Sequence, residues 1–359
     1  MGFLTTCTVR LGRGRGCTYR SALAAAVLLA AFAFSLGTLS VHEREREALA
    51  SVSRQELASL DIPRPLDNVV FVLDASGRSE PFRGQPPGFR DYGLMLAAST
   101  CSMSSETMIL TGTTRAPDAE HSALRTPTLF QHAKRWGYRT VLLDVRGTAF
   151  PNGVIRASDL RSIDEWIGGD EIPGPSAHPA LNAADFAHHV AREGRGNFIF
   201  ILRQAAHEEL SAVAPDAFLR VLTEPALSNT TLFWTSEHGH GRRESGHNHA
   251  ECSREIEHAV VPFFVVSDSP WVSSSPEPPR PQEIVFSHHN LYPSVVSLLA
   301  KDRDASHRGF ASLFARRPEQ PPLYYLAGGL FAGGRVIHVS RDDLAGVEPA
   351  LGLAPVGAR

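Results

Sequence analysis

Cysteine is scarce in this chain: Cys7, Cys17, Cys101 and Cys252 are the only four in 359 residues. That count excludes a small disulfide-built scaffold. A basic excess is also missing. Lys and Arg number 35 against 38 Asp and Glu, a net charge of −3, which argues against a nucleic-acid partner. No internal repeat is visible, so a solenoid is not expected. The length suits one large domain with an anchor, or two small domains.

One stretch lacks charge altogether. From Ser21 to Val41 the chain is rich in Ala, Leu, Val and Phe, and Arg10, Arg13, Arg15 and Arg20 precede it. At about 1.5 Å per residue the run spans about 31 Å, the thickness of a bilayer core. The arginines place residues 1–20 in the cytoplasm and the remainder outside. The expected organisation is a cytoplasmic basic segment (1–20), a single transmembrane anchor (21–41), a juxtamembrane helix and linker (42–65), a catalytic domain (66–340) and a C-terminal tail (341–359). A cleaved signal peptide ending near Ala31-Phe32-Ala33 is the alternative for the second of these. Either way the main domain is extracytoplasmic, at the plasma (inner) membrane or in the periplasm.

Beyond the linker, buried-type strands and helices alternate. Asn68–Leu73 is a continuous apolar run that ends at Asp74, as expected for a strand covered on both faces. Similar runs occupy 138–144, 197–202, 230–235 and 260–266, while 106–110, 127–136, 215–222 and 290–300 read as helices. The order predicts a three-layer α/β/α sandwich around a mostly parallel sheet. Polar residues collect at the carboxyl ends of the strands: Asp74, Glu237-His238, and Arg203 with His207. In open α/β sheets that edge binds ligands.

Those residue types suggest a chemistry. Asp74, Glu237 and His238 would make a Zn²⁺ or Mn²⁺ site with an open position. The nearby hydroxyls of Ser99-Thr100-Cys101-Ser102, just before the expected helix, could supply a nucleophile whose pKa the metal lowers. N-capping is the structural alternative for these hydroxyls. The segment 236–249 is rich in glycine and histidine. His247 and His249 there could contact a phosphate or a second ion, or lie in a solvated loop. Histidine totals 16, more than half of it from residue 207 onward.

Taken in order, Asn68–Asp74, Leu110-Thr111-Gly112, Thr126–Phe130, Gly137–Thr140, Ser236–Gly239, Val261-Pro262-Phe263 and Ser287–Leu291 resemble the catalytic domain of the sulfatase-like phosphoethanolamine transferases, in the alkaline phosphatase/sulfatase superfamily. The likeness covers residues 66 to 335. It implies an alkaline phosphatase-like fold and ping-pong transfer of a phosphoryl headgroup through a covalent phospho-enzyme, from a membrane lipid to a lipid or glycan. It implies Asp74, Glu237 and His238 as metal ligands, with Ser102 as nucleophile and ligand and Thr100 as its alternate. His207 and His249, with His247, would contact the substrate. Glu237 stands where the family has Asp, and a gapless match puts Ala75 at the position of the first metal carboxylate. The formylglycine sulfatase signature Cys-x-Pro-Ser-Arg is absent after Cys101, which disfavours that route. Cys101 and Cys252 flank the nucleophile cluster and the histidine loop, and an oxidising compartment would let them pair. Three functions remain: a headgroup transferase, a phosphate ester or diester hydrolase, and a non-catalytic binding relative.

Overall fold

The computed structural model describes residues 67–74, 85–114, 126–145, 157–203, 214–239, 252–278, 284–316, 322–330, 334–340 and 342–344. The expected basic segment, anchor and juxtamembrane helix lie outside these residues. Among those described, no helix is long and apolar enough to cross a membrane.

A seven-stranded sheet forms the centre. Its strands are β1 (Asn68–Asp74), β2 (Phe89–Leu96), β3 (Arg139–Asp144), β4 (Glu165–Gly168), β5 (Asn197–Arg203), β6 (Thr230–Ser236) and β7 (Val260–Ser267), in the spatial order β2-β7-β6-β1-β5-β3-β4. Strands β6, β1, β5, β3 and β4 pair in parallel, and β7 runs antiparallel to both β6 and β2. The sheet is therefore mostly parallel, as the continuous apolar runs predict. Two short ribbons follow, β8 (Ser306–His307) with β9 (Phe310–Ala311), and β10 (Tyr324–Ala327) with β11 (Arg335–His338).

Strand pleating divides β1 between two cores. Val69, Phe71 and Leu73 face helices α1 (Ser102–Thr111), α2 (Leu129–Arg135) and α5 (Leu291–Ala300). Val70 and Val72 face α3 (Pro179–Glu193) and α4 (Pro215–Thr223). Helices thus cover both faces, which is the three-layer arrangement. Phe71 stacks on Phe200 with ring centroids 4.9 Å apart, so neighbouring strands lock through their aromatic rings. Asn68 ties the opposite strand end. Its Nδ2 donates to the carbonyls of Ala191 and Gly194 at the end of α3, and its Oδ1 accepts from Asn197 of β5.

Helix α1 starts at Ser102, four residues before the expected Glu106. Its first i→i−4 bond runs from Ser105 N to Cys101 O, 2.8 Å. Cys101 is fixed by a disulfide to Cys252. Ser102, expected just ahead of the helix, therefore opens its first turn, while Ser99 and Thr100 remain outside it. Gly112 closes the helix in the left-handed region (φ 64°), where a Cβ would meet the Tyr292 ring at 2.6 Å.

Candidate active site at the strand carboxyl ends

The ends of β1, β5 and β6 lie in register, with Asp74 beside both Arg203 and Ser236. The chain then turns so that Glu237 N donates to Asp74 O at 3.1 Å. Gly239 N donates to His258 O at 2.8 Å. A Cβ at Gly239 would lie 2.4 Å from Glu257 O and 2.5 Å from Val260 O, so only glycine fits directly after His238.

This turn aims Glu237 and His238 at the start of α1. The Ser102 hydroxyl donates to Glu237 Oε1 at 2.9 Å and lies 3.1 Å from His238 Nε2. The third edge, His238 Nε2 to Glu237 Oε1, is 3.4 Å. His238 Nδ1 is 2.9 Å from Gly239 O. A carbonyl only accepts, so Nδ1 carries a proton. Both Glu237 and His238 are buried.

A second layer holds this triangle. Ser105, one turn along α1, donates to the backbone carbonyl of Glu237. Its Oγ is also 3.3 Å from His288 Nδ1. His288 Nε2 in turn lies 3.1 Å from Thr235 Oγ1. Burial pushes the His288 imidazole down to about 3, with His289 and His238 adding to the effect, so it is neutral. The residues carried no role for Ser105 and His288 in the sequence. The 102/105 spacing on one helix face and the Ser287–Asn290 motif were the available signals.

Thr100 takes a different place. Its hydroxyl donates to Ser253 O at 2.7 Å and its carbonyl accepts from Cys252 N at 3.0 Å. Of the two candidate nucleophiles, the structure brings Ser102 to the Glu237-His238 pair. Asp74 also points elsewhere. Following Val70 and Val72 onto the α3/α4 face, it accepts a hydrogen bond from Arg203 Nη1, and both side chains are 1% exposed. The guanidinium lies 5.2 Å from the Phe218 ring centroid and 5.6 Å from that of Trp234. His207, His247 and His249 lie outside the described residues.

Among the described residues, no group of three or more His, Cys, Asp and Glu side chains is placed to hold a metal ion. With the hydroxyl counted, Ser102, Glu237 and His238 do supply three converging donors. The edges of the triangle, 2.9, 3.1 and 3.4 Å, compare with about 3.3 Å between ligands around a tetrahedral Zn²⁺. The trio fits three corners of such a centre.

No protein-family model and no curated protein matches the sequence. Solved structures do match. The C-terminal periplasmic domain of EptC from Escherichia coli, in complex with Zn, superposes with a TM-score of 0.55 at 14% identity, over 77% of this chain and 94% of that one. Ps i-CgsB in complex with k-i-k-neocarrahexaose gives 0.50 at 14% identity, over 74% and 80%. The soluble domain of lipooligosaccharide phosphoethanolamine transferase A from Neisseria meningitidis gives 0.48 at 12% identity, over 66% and 89%. At these identities the first two likenesses establish the fold alone, a mostly parallel α/β sandwich.

Proposed function

We propose that this chain is an extracytoplasmic, membrane-anchored enzyme that moves a phosphoryl headgroup, such as phosphoethanolamine, from a lipid donor to a lipid or glycan acceptor through Ser102. The observation that carries this reading is the Ser102 hydroxyl at the start of α1, 2.9 Å from Glu237 and 3.1 Å from His238. The periplasmic setting of the EptC domain agrees with the Cys101–Cys252 disulfide, since such bonds persist in oxidising compartments.

The residues divide the work as follows. Among the described residues no side chain caps the start of α1, so its first N–H groups can receive the phosphoryl oxygens, helped by the helix dipole. Ser102 Oγ attacks phosphorus, the ester bond to the lipid alcohol breaks, and that alcohol leaves with a proton. The acceptor hydroxyl then attacks the phosphoserine and gives up its proton, the bond from phosphorus to Ser102 Oγ breaks, and Oγ takes up a proton to restore the hydroxyl. Gly239 O fixes the His238 ring and Ser105 fixes the Glu237 backbone, so neither partner must reorganise as Ser102 reacts. A divalent cation, zinc or manganese, held by Ser102, Glu237 and His238 would lower the hydroxyl pKa and draw charge from the phosphoryl oxygens.

Ser102→Ala should lower headgroup transfer by about 10³-fold or more while thermal unfolding is unchanged. Mass spectrometry should find a phosphorylated Ser102 in the wild type incubated with a labelled donor. Turnover surviving in Ser102→Ala would sink the proposal and move attention to Thr100. A second reading, a non-catalytic relative that binds phosphate esters, is favoured by the engagement of Asp74 with Arg203. Binding of a labelled headgroup ester without any turnover would select it.

A further inference from the structure

We propose that His288 is a positioning residue for Ser102: it accepts a hydrogen bond from Thr235 and donates one to Ser105, and this one-way chain sets the start of α1 against Glu237. The inference deepens the reading of Ser102 as the group that takes the phosphoryl headgroup, and rests on it.

Two connections join the end of β6 to α1, and they run side by side. The first is the bond from Ser102 to Glu237 Oε1. The second leaves β6 two residues earlier, at Thr235, and reaches α1 three residues later, at Ser105, on the helix face that carries Ser102. His288 is the link between them. Its Nδ1 is 3.3 Å from Ser105 Oγ and its Nε2 is 3.1 Å from Thr235 Oγ1. Thr235, Ser105 and His288 are at most 1% exposed, so they depend on buried partners for their hydrogen bonds.

The direction of each bond follows from counting protons. Ser105 Oγ donates its one proton to the carbonyl of Glu237, which can only accept. Toward His288 it is therefore an acceptor, and Nδ1 carries the proton between them. The buried ring is neutral, so it holds a single proton and Nε2 is bare. Among the described residues Thr235 Oγ1 is the donor that faces Nε2, and its proton goes there although Pro262 O lies at 3.0 Å. The chain thus runs from Thr235 through His288 and Ser105 to Glu237 O, and returns to the segment it left. The turn that carries His288 is fixed as well. Ser287 N donates to Asn290 Oδ1 and Leu96 N donates to Phe286 O, both at 3.0 Å, which ties this turn to β2. With Ser105 held, the first turn of α1 keeps one seat, and Ser102 meets Glu237.

The test uses the full-length chain. Nitrogen-15 spectra of labelled histidine should show His288, assigned by its loss in His288→Gln, with its proton on Nδ1 and a bare Nε2. His288→Leu should lower kcat for headgroup transfer by about 10²-fold with KM unchanged. The amide nitrogen of Asn can stand where Nδ1 stands, and that of Gln where Nε2 stands. His288→Asn should therefore recover kcat to within about tenfold of the wild type. His288→Gln should not, although both variants unfold at similar urea concentrations. Ser105→Ala combined with His288→Gln should fall no further than Ser105→Ala alone, as for groups that act as one unit. A proton on Nε2 alone, or equal kcat in the Asn and Gln variants, overturns the inference. A wild-type chain that transfers no headgroup overturns the reading of Ser102, and the positioning role with it.

Discussion

His289 shows how much a single side chain can reveal. It is 3% exposed, its ring lies 4.8 Å from those of both Phe310 and Tyr324, and among the described residues neither ring nitrogen has a hydrogen-bond partner. Replacing it by Phe keeps the stacking and removes a buried polar ring, so His289→Phe should raise stability by about 1–2 kcal/mol in urea unfolding. His288 and His289 are both held down to about 3 by burial, from an ordinary value of 6.5. The unfolded chain therefore takes up their protons first. Their contribution is complete above about pH 6.5 and is lost as pH falls toward 3, at up to about 1.4 kcal/mol per pH unit for each ring. Urea midpoints at pH 7 and pH 5 should differ, and the difference should shrink in His289→Phe. Equal midpoints would show that these rings do not titrate on unfolding. Sequence reasoning singled out Ser102, Glu237 and His238, a hydroxyl, a carboxylate and an imidazole at element ends, and the structure brings these three side chains within 3.4 Å of one another. That reasoning did not reach the direction of Asp74, which depends on strand parity and on a partner 129 residues away.

Elements were legible where hydrophobic contrast was high. Strands β1, β3, β5, β6 and β7 stood out as unbroken apolar runs. Strand β2 did not, because Phe89–Leu96 contains Arg90, Asp91 and Gly93 and its register shifts between Asp91 and Leu94. Helix α3 was missed although its two faces differ, because its buried face is largely alanine, at 180, 183, 184 and 187, residues too small to mark a core on their own. The turn after β6 was recognised by composition, and the structure adds why Gly239 must be glycine. Its methyl would strike two carbonyls, both main-chain atoms that cannot swing aside. Gly239→Ala should displace His238 and lower turnover by about 10²-fold, with the far-UV spectrum retained. Wild-type kinetics in that variant would show that the turn is not what aligns the site. At the other end of the sheet, Asn68→Leu removes the bonds to α3 and Asn197, and a loss of about 2–4 kcal/mol in unfolding is expected from the partners left unsatisfied.

At the scale of the whole molecule, the disulfide joins residues 151 positions apart. Closing a loop of that length restricts the unfolded chain by about 5 kcal/mol in the chain-entropy model. Protein made in a reducing cytosol, or a Cys101→Ser/Cys252→Ser variant, should melt well below the exported, oxidised form. Coincident melting curves would show that the cross-link adds no stability. The sandwich itself was readable from the order of strands and helices, whereas the spatial order β2-β7-β6-β1-β5-β3-β4 was not, since neighbours in the sheet are seldom neighbours in the chain. Cys101 also immediately precedes Ser102. During synthesis the ribosome must therefore travel well past the serine before the thiol that will stake down its helix exists, and an oxidant must then act on the pair. The order of events runs from translation through oxidation to a correctly seated hydroxyl, which makes the start of this helix one of the last parts of the molecule to be secured.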